Sequence, residues 1–156
     1  MPSKSSNQLL RVEGLAKSYG DFVTLKDISF TAKQGELICI VGPSGCGKTT
    51  LLKCVAGLLT PTAGIVELDG EPVTSPPKKM AVVFQEYGRS LMPWMTVRRN
   101  VELPLLRTMP KDERRALVDK VLETVGLGDA GDKYPWQLSG GMQQRASIAR
   151  ALAFDP

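Results

Sequence analysis

The segment IVGPSGCGKTT, residues 40–50, decides how the rest of the chain is read. Two β-branched residues run into three glycines, and the stretch closes on a lysine and two threonines. It fits the pattern G-x-x-x-x-G-K-[ST] through Gly42, Gly47, Lys48 and Thr49, with an apolar run before it and helical spacing after it. A polyphosphate chain has to be surrounded by donors. Gly42, Gly45 and Gly47 let the backbone turn through Pro43, Ser44 and Cys46 with its N–H groups inward, where a Cβ would obstruct the turn or the ligand. A helix starting near Lys48 adds free N–H groups and the positive end of its dipole. Lys48 then reaches the β- and γ-phosphates, and Thr49, with Thr50 beside it, offers a hydroxyl to Mg²⁺. The loop predicts a nucleoside triphosphate site.

Working outward, LLRVEGL (9–15) alternates as a strand does, and LKDISFTA (25–32) reads as its partner. Gln34-Gly35 turns the chain into ELICIVG, a continuous apolar run expected to be a strand buried on both faces of a parallel sheet. KTTLLKCVAGL (48–58) predicts a helix that stops before Thr60-Pro61. GIVELDGEPV (64–73) predicts a hairpin about Asp69-Gly70, and Met80–Phe84 a further buried strand. Beyond residue 90 the spacing is helical, and Leu117, Val118, Val121, Leu122 and Val125 make one apolar face. A last helix is expected from Gly141 to about Ala153, with Ser139 near its N-cap. Residues 1–89 are therefore expected to form an N-terminal β subdomain with the phosphate-loop core, and residues 90–156 a helical subdomain.

The composition, 42% hydrophobic and 23% charged over 156 residues, is that of one globular domain. Its longest strictly apolar run, Leu37–Val41, is too short to span a bilayer. The start, MPSKSSNQ, lacks the apolar stretch of an export signal and reads as a frayed cytoplasmic terminus. The net charge of +4 reads as a mixed surface, with no basic stripe and interleaved aromatics for nucleic acid. Cys39, Cys46 and Cys54 form no C-x-x-C pair and fit reduced thiols better than disulfides or zinc. Cys46 sits near a helix start, where a thiol's pKa falls, or is an inert small residue. Histidine is absent, so histidine-based acid–base catalysis is excluded for these residues.

QLSGGMQQRASIARAL (137–152) repeats the device of the first loop: Ser139, Gly140 and Gly141 present bare backbone at a helix start. One phosphate chain scarcely needs two such ends from one polypeptide. If both serve the same nucleotide, one comes from a neighbouring copy.

GPSGCGKTT, the glutamine of VVFQE and LSGGMQQR together resemble the ATP-binding subunit of ABC transporters, from about residue 9 onward. The resemblance implies an α/β P-loop NTPase of the ABC type, with N-terminal antiparallel strands, a parallel-sheet core and a helical lobe, here incomplete. It implies ATP and Mg²⁺ as cofactors, and a head-to-tail homodimer in which Ser139, Gly140 and Gly141 close on the γ-phosphate at the partner's loop. Tyr19 in KSYG matches the aromatic that stacks on adenine. Gln85 matches the glutamine that reaches Mg²⁺ and the attacking water, so the expected catalytic residues are Gln85 and Lys48, and the metal contacts Thr49 and Gln85. Met142 stands where the family often has glutamine, and Gln143, Gln144 and Arg145 match its usual helix start or are solvated surface.

QEYGRSLMPWMTVRRNVELPL resembles importers of the nitrate, sulfonate and taurine type. The implied partners are transmembrane permease subunits and a periplasmic substrate-binding protein, with the ATPase peripheral on the cytoplasmic face of the inner membrane and no nucleic acid bound. Met92, Pro93, Trp94 and Met95 would be a lip receiving a coupling helix; the other reading makes Trp94 an apolar plug of the helical lobe. In the family, a strand with the metal-holding aspartate and water-polarising glutamate, then a histidine, follow the position of Pro156; Asp155 matches the loop ahead of it. Residues 1–156 alone are accordingly expected to bind ATP weakly, hydrolyse it hardly at all and expose an apolar sheet edge. The alternatives are a soluble ABC ATPase of translation or DNA repair, a non-hydrolysing nucleotide-binding fragment, and a P-loop kinase. The short separation of Lys48 from Ser139 leaves no room for a long coiled-coil insertion, and LSGGMQQR argues against a kinase.

Overall fold

The structure, a computed structural model, describes residues 8–84 and 90–154. The polar start, Gln85 and Asp155 lie outside them. The chain divides into two compact units between Pro77 and Lys78.

The first unit is built on an antiparallel hairpin of β1 (Gln8–Tyr19) and β2 (Phe22–Lys33), both longer than the sequence patterns indicate. β3 (Ala63–Leu68) pairs with the other edge of β1, and β4 (Glu71–Pro72) with β3, giving the order β2-β1-β3-β4. Val12 and Leu15, three residues apart, would face opposite ways on a regular strand. Register shifts between Val12 and Leu15 against β2, and between Glu13 and Ala16 against β3, re-phase β1 so that both are buried. Asp69 and Gly70 have φ +54° and +80°, the left-handed pair of a tight hairpin turn, as expected.

Helix α1 (Lys48–Val55) lays Leu51 and Cys54 against Val12, Leu15, Leu25 and Val66. Burying one such leucine stabilises by about 2 kcal/mol. The helix ends at Val55, earlier than the sequence predicts, because the chain turns at Ala56 and Gly57, where Gly57 has φ +69°.

The second unit contains α2 (Val97–Glu102), α3 (Lys111–Thr124) and α4 (Gly140–Ala153), with short 3-10 turns at Leu103–Leu105, Gly128–Ala130 and Pro135–Gln137. Val118, Val121 and Leu122 of α3 are buried with Val97 and Val101 of α2, and Leu117 and Val125 pack at the margin. α4 contributes the small residues Ala146, Ala149 and Ala153, which let its backbone approach closely. No helix among the described residues is long and apolar enough to cross a membrane.

Two sequence expectations need correction in detail. The apolar runs 37–41 and 80–84 form no strand, and the sheet of the described residues is wholly antiparallel. Leu37 is 92% exposed and Val41 84%. An apolar run records what a strand would bury, whereas a parallel strand also needs neighbours to accept its N–H and C=O groups. No described strand stands beside either run.

The buried polar residue Asn100 organises the loop ahead of α2. Its Oδ1 accepts from the Met92 N–H at 2.7 Å, and its Nδ2 donates to the carbonyls of Met92, Met95 and Thr96 at 3.0–3.1 Å. Asn100→Ala would leave these buried groups unpaired. The expected loss is about 3 kcal/mol of unfolding free energy, read from urea melts; a midpoint unchanged from the parent would contradict the assignment.

Candidate functional site

The phosphate loop hangs between two fixed points. At one, Gly47 takes φ +96° directly before α1, and a Cβ there would stand 2.8 Å from Leu25 Cδ2 and 3.0 Å from the Thr24 carbonyl oxygen. At the other, a Cβ on Gly42 would meet Cys46 Sγ at 2.8 Å. Between them Gly45 has φ +80°, and the Cys46 N–H donates to the Pro43 carbonyl at 3.4 Å. Gly42, Pro43, Ser44, Gly45 and Cys46 are all exposed.

Helix α1 has no side-chain cap and no acidic residue in its first turn. Its opening N–H groups therefore lack the internal acceptor that most helix starts carry, and with the dipole they make an anion-binding end. The Lys48 ammonium folds back over the loop and donates to the carbonyls of Gly42 at 2.8 Å and Pro43 at 2.6 Å. It also contacts Cys46 Sγ at 3.7 Å. Thr49 is exposed and Thr50 half-buried at the same helix start. Among the described residues no three His, Cys, Asp or Glu side chains gather to hold a metal. A divalent cation here would depend on hydroxyl, water and phosphate oxygens, the manner of Mg²⁺.

Tyr19 ends β1, half-exposed, with the Lys17 ammonium 5.3 Å from its ring centroid. Ser139 caps α4 through its Oγ, which accepts from the Met142 N–H at 3.4 Å. Ser139, Gly140 and Gly141 are exposed, and α4 too has no acid in its first turn. A Cβ on Gly141 would meet nothing within 4 Å among the described residues. The loop and Tyr19 belong to the first unit and Ser139–Gly141 to the second.

Gln143 has a role that its sequence pattern left open. Its Nε2 donates to the carbonyls of Pro135 and Leu138, while Gln137 Oε1 accepts from the Tyr134 N–H, so the turn leading into Ser139 is pinned at three points. Gln144 and Arg145 are exposed, and Arg145 donates to the Val125 carbonyl at the end of α3. Asn100 and Gln143 went unseen as organisers because neither residue type signals a partner many bonds away. In the second unit a cleft of about 530 Å³ lies between Ala81–Phe84 and α4. Its Arg150 guanidinium donates to the Ser90 carbonyl at 2.7 Å, and burial lowers its pKa.

The antiparallel sheet, the uncapped helix after a glycine loop and the second glycine-led helix define an ATPase cassette of the P-loop class. The ABC transporter family model matches residues 25–156, and the chain belongs to that family. It is 50% identical over 153 residues to the bicarbonate transport ATP-binding protein CmpC of Synechococcus elongatus, covering 93% of this chain and 23% of that one. It is 48% identical over 149 residues to the taurine import ATP-binding protein TauB of Yersinia pestis, covering 95% of this chain and 58% of that one. The dimeric bacterial ABC transporter cassette MJ0796 superposes with a TM-score of 0.84 at 36% identity, covering 95% of this chain and 71% of that structure. The chain thus spans 58% or less of these two curated relatives.

Gly47→Ala is expected to abolish measurable ATP binding, since both the positive φ and the contacts with Thr24 and Leu25 forbid a Cβ; nanomolar-to-micromolar binding in a titration of the variant would refute this. In a Cys39→Ser background, maleimide is expected to modify Cys46, which is exposed, and to spare the buried Cys54. Mg-ATP should slow that labelling at least severalfold. A labelling rate indifferent to nucleotide would separate Cys46 from the site.

Proposed function

We propose that this chain is the ATP-binding portion of an importer ATPase, coupling ATP binding and hydrolysis to uptake of a small polar solute of the taurine, sulfonate, nitrate or bicarbonate kind. Gly42–Thr50 hold the phosphates, Thr49 and Gln85 contact Mg²⁺, Tyr19 stacks on adenine, and Lys48 and Gln85 serve the γ-phosphate and the attacking water. Bound Mg²⁺ would draw charge from the phosphate oxygens. The chain's own part is to supply amides, an ammonium and hydroxyls already in position.

The observation that carries the reading is the contrast between the two glycine-led helix starts. Gly47 is demanded by its own chain, through Thr24 and Leu25. No described residue demands Gly141, for a Cβ there would meet nothing within 4 Å among the described residues. A glycine inside a helix costs about 1 kcal/mol relative to alanine. Close approach by another molecule accounts for it, and a second copy presenting its nucleotide supplies that approach. The ATPase is thus a head-to-tail homodimer, peripheral on the cytoplasmic face of the inner membrane, working with permease subunits and a periplasmic binding protein. Trp94, 70% exposed beside half-buried Met92 and Met95, supports a docking lip rather than a plug.

Mixing two inactive variants tests this. Lys48→Met and Ser139→Phe are each expected to lose ATPase activity in the full-length protein. Combined, they assemble heterodimers in which one site keeps both an intact loop and an intact serine-glycine end, so activity reappears. Recovery of about a quarter of the parent rate is expected from random pairing and one good site in two; no recovery at all would place both ends in the same chain. Trp94→Ala should weaken co-purification with the permease at least severalfold while the ATP dissociation constant stays put, and unchanged co-purification would remove the lip.

A further inference from the structure

Lys17 is held from two sides. Its Nζ donates to the Thr60 carbonyl at 2.8 Å and stands 5.3 Å from the centroid of the Tyr19 ring, within cation–π range. The strand end that carries it is fastened to the same stretch twice more. Thr62 N–H donates to the Ala16 carbonyl at 2.8 Å, and Ser18 N–H donates to Thr62 Oγ1 at 3.1 Å. Residues 60–62 come shortly after the turn that ends α1, the helix whose first turn closes the phosphate loop. Lys17 also acts on the buried Cys54 thiol of α1: burial pushes that pKa up, and the ammonium opposes the push.

Tyr19 is 52% exposed, with the ammonium over one face of its ring. The face left for a ligand is the opposite one. An exposed tyrosine at a strand end ordinarily samples several rotamers, and each one frozen on binding weakens the complex. An anchored cation favours one ring position in advance.

We propose that Lys17 is a positioning residue for nucleotide binding: braced by the Thr60 carbonyl, its ammonium holds the Tyr19 ring so that the free face meets adenine. This rests on the reading of Tyr19 as the adenine-stacking residue. Lys17 acts through the ring and not on the phosphates, so its contribution belongs to the base alone. Arginine, which also stacks on aromatic faces, preserves the effect.

The test compares MgATP with magnesium tripolyphosphate, which has no base, by titration calorimetry on the full-length protein. Tyr19→Ala should weaken MgATP binding on the order of tenfold and leave tripolyphosphate binding unchanged. Lys17→Met should weaken MgATP binding by about three- to fivefold, leave tripolyphosphate unchanged, and have no further effect once Tyr19 is alanine; Lys17→Arg should restore parent affinity. Thermal melts establish that each variant is folded. A Lys17→Met protein that binds MgATP like the parent overturns the proposal, as does one that loses MgATP and tripolyphosphate equally, or one whose loss persists in the Tyr19→Ala background. Tyr19→Ala without effect on MgATP overturns the adenine reading itself, and the role of Lys17 with it.

Discussion

The constraint on which the phosphate loop depends is the seat of Gly47 against Thr24 and Leu25 of β2. A backbone that passes within van der Waals contact of Thr24 and Leu25, in a left-handed conformation, fixes where α1 begins. The helix is consequently set by its first residue, and its side and its end serve different purposes. The side, through Leu51 and Cys54, is part of the core. The end, with no capping side chain, is left for an anion. With glycine at the cap position, forgoing a capping side chain costs only about a few tenths of a kcal/mol, and burial of Leu51 alone outweighs that by the area rule. On the proposed reading, the binding site is therefore carried by an element whose stability comes from elsewhere, which is why its amides can stay uncommitted.

What was legible in the sequence was whatever depends on near neighbours along the chain. Asp69-Gly70 announces its turn, Ser139 its cap three residues before the Met142 N–H it accepts from, and the apolar spacing of α3 its buried face. The P-loop pattern is legible for the same reason, since it falls within eight consecutive residues, although the seat of Gly47 against Thr24 and Leu25 is not. What was not legible depends on partners distant in sequence. Residues 37–41 and 80–84 have the composition of central strands, yet pairing is a property of two segments, and composition reports only one. Val12 and Leu15 share a face through a bulge that their own alternation does not disclose. Asn100 and Gln143 are ordinary polar residues in a helical pattern until the carbonyls they serve are located. The Lys17–Tyr19 pair lies between these extremes: two residues apart in sequence, but meaningful only with Thr60 beside it.

On the proposed reading, recognition is divided by chemistry as well as by chain. The base is met by a strand end and the phosphates by a helix start, and the two are joined within the first unit by the bonds from residues 16–18 to residues 60–62. That connection ties base and phosphate binding to one hydrogen-bonded frame. The second helix start belongs to the other unit, and a Cβ on its Gly141 would meet no described residue within 4 Å. A nucleotide seated in one copy then presents its terminal phosphate to donors that the same copy does not supply. Binding alone satisfies the frame; only association satisfies the second set of amides. The free energy that drives two copies together is accordingly the part of the phosphate interaction that one copy leaves unmet, and it disappears when the terminal phosphate is removed. A ligand shifts an equilibrium only by its difference in affinity between two states. Here that difference is localised in a single phosphoryl group, which is what permits hydrolysis to reverse the assembly.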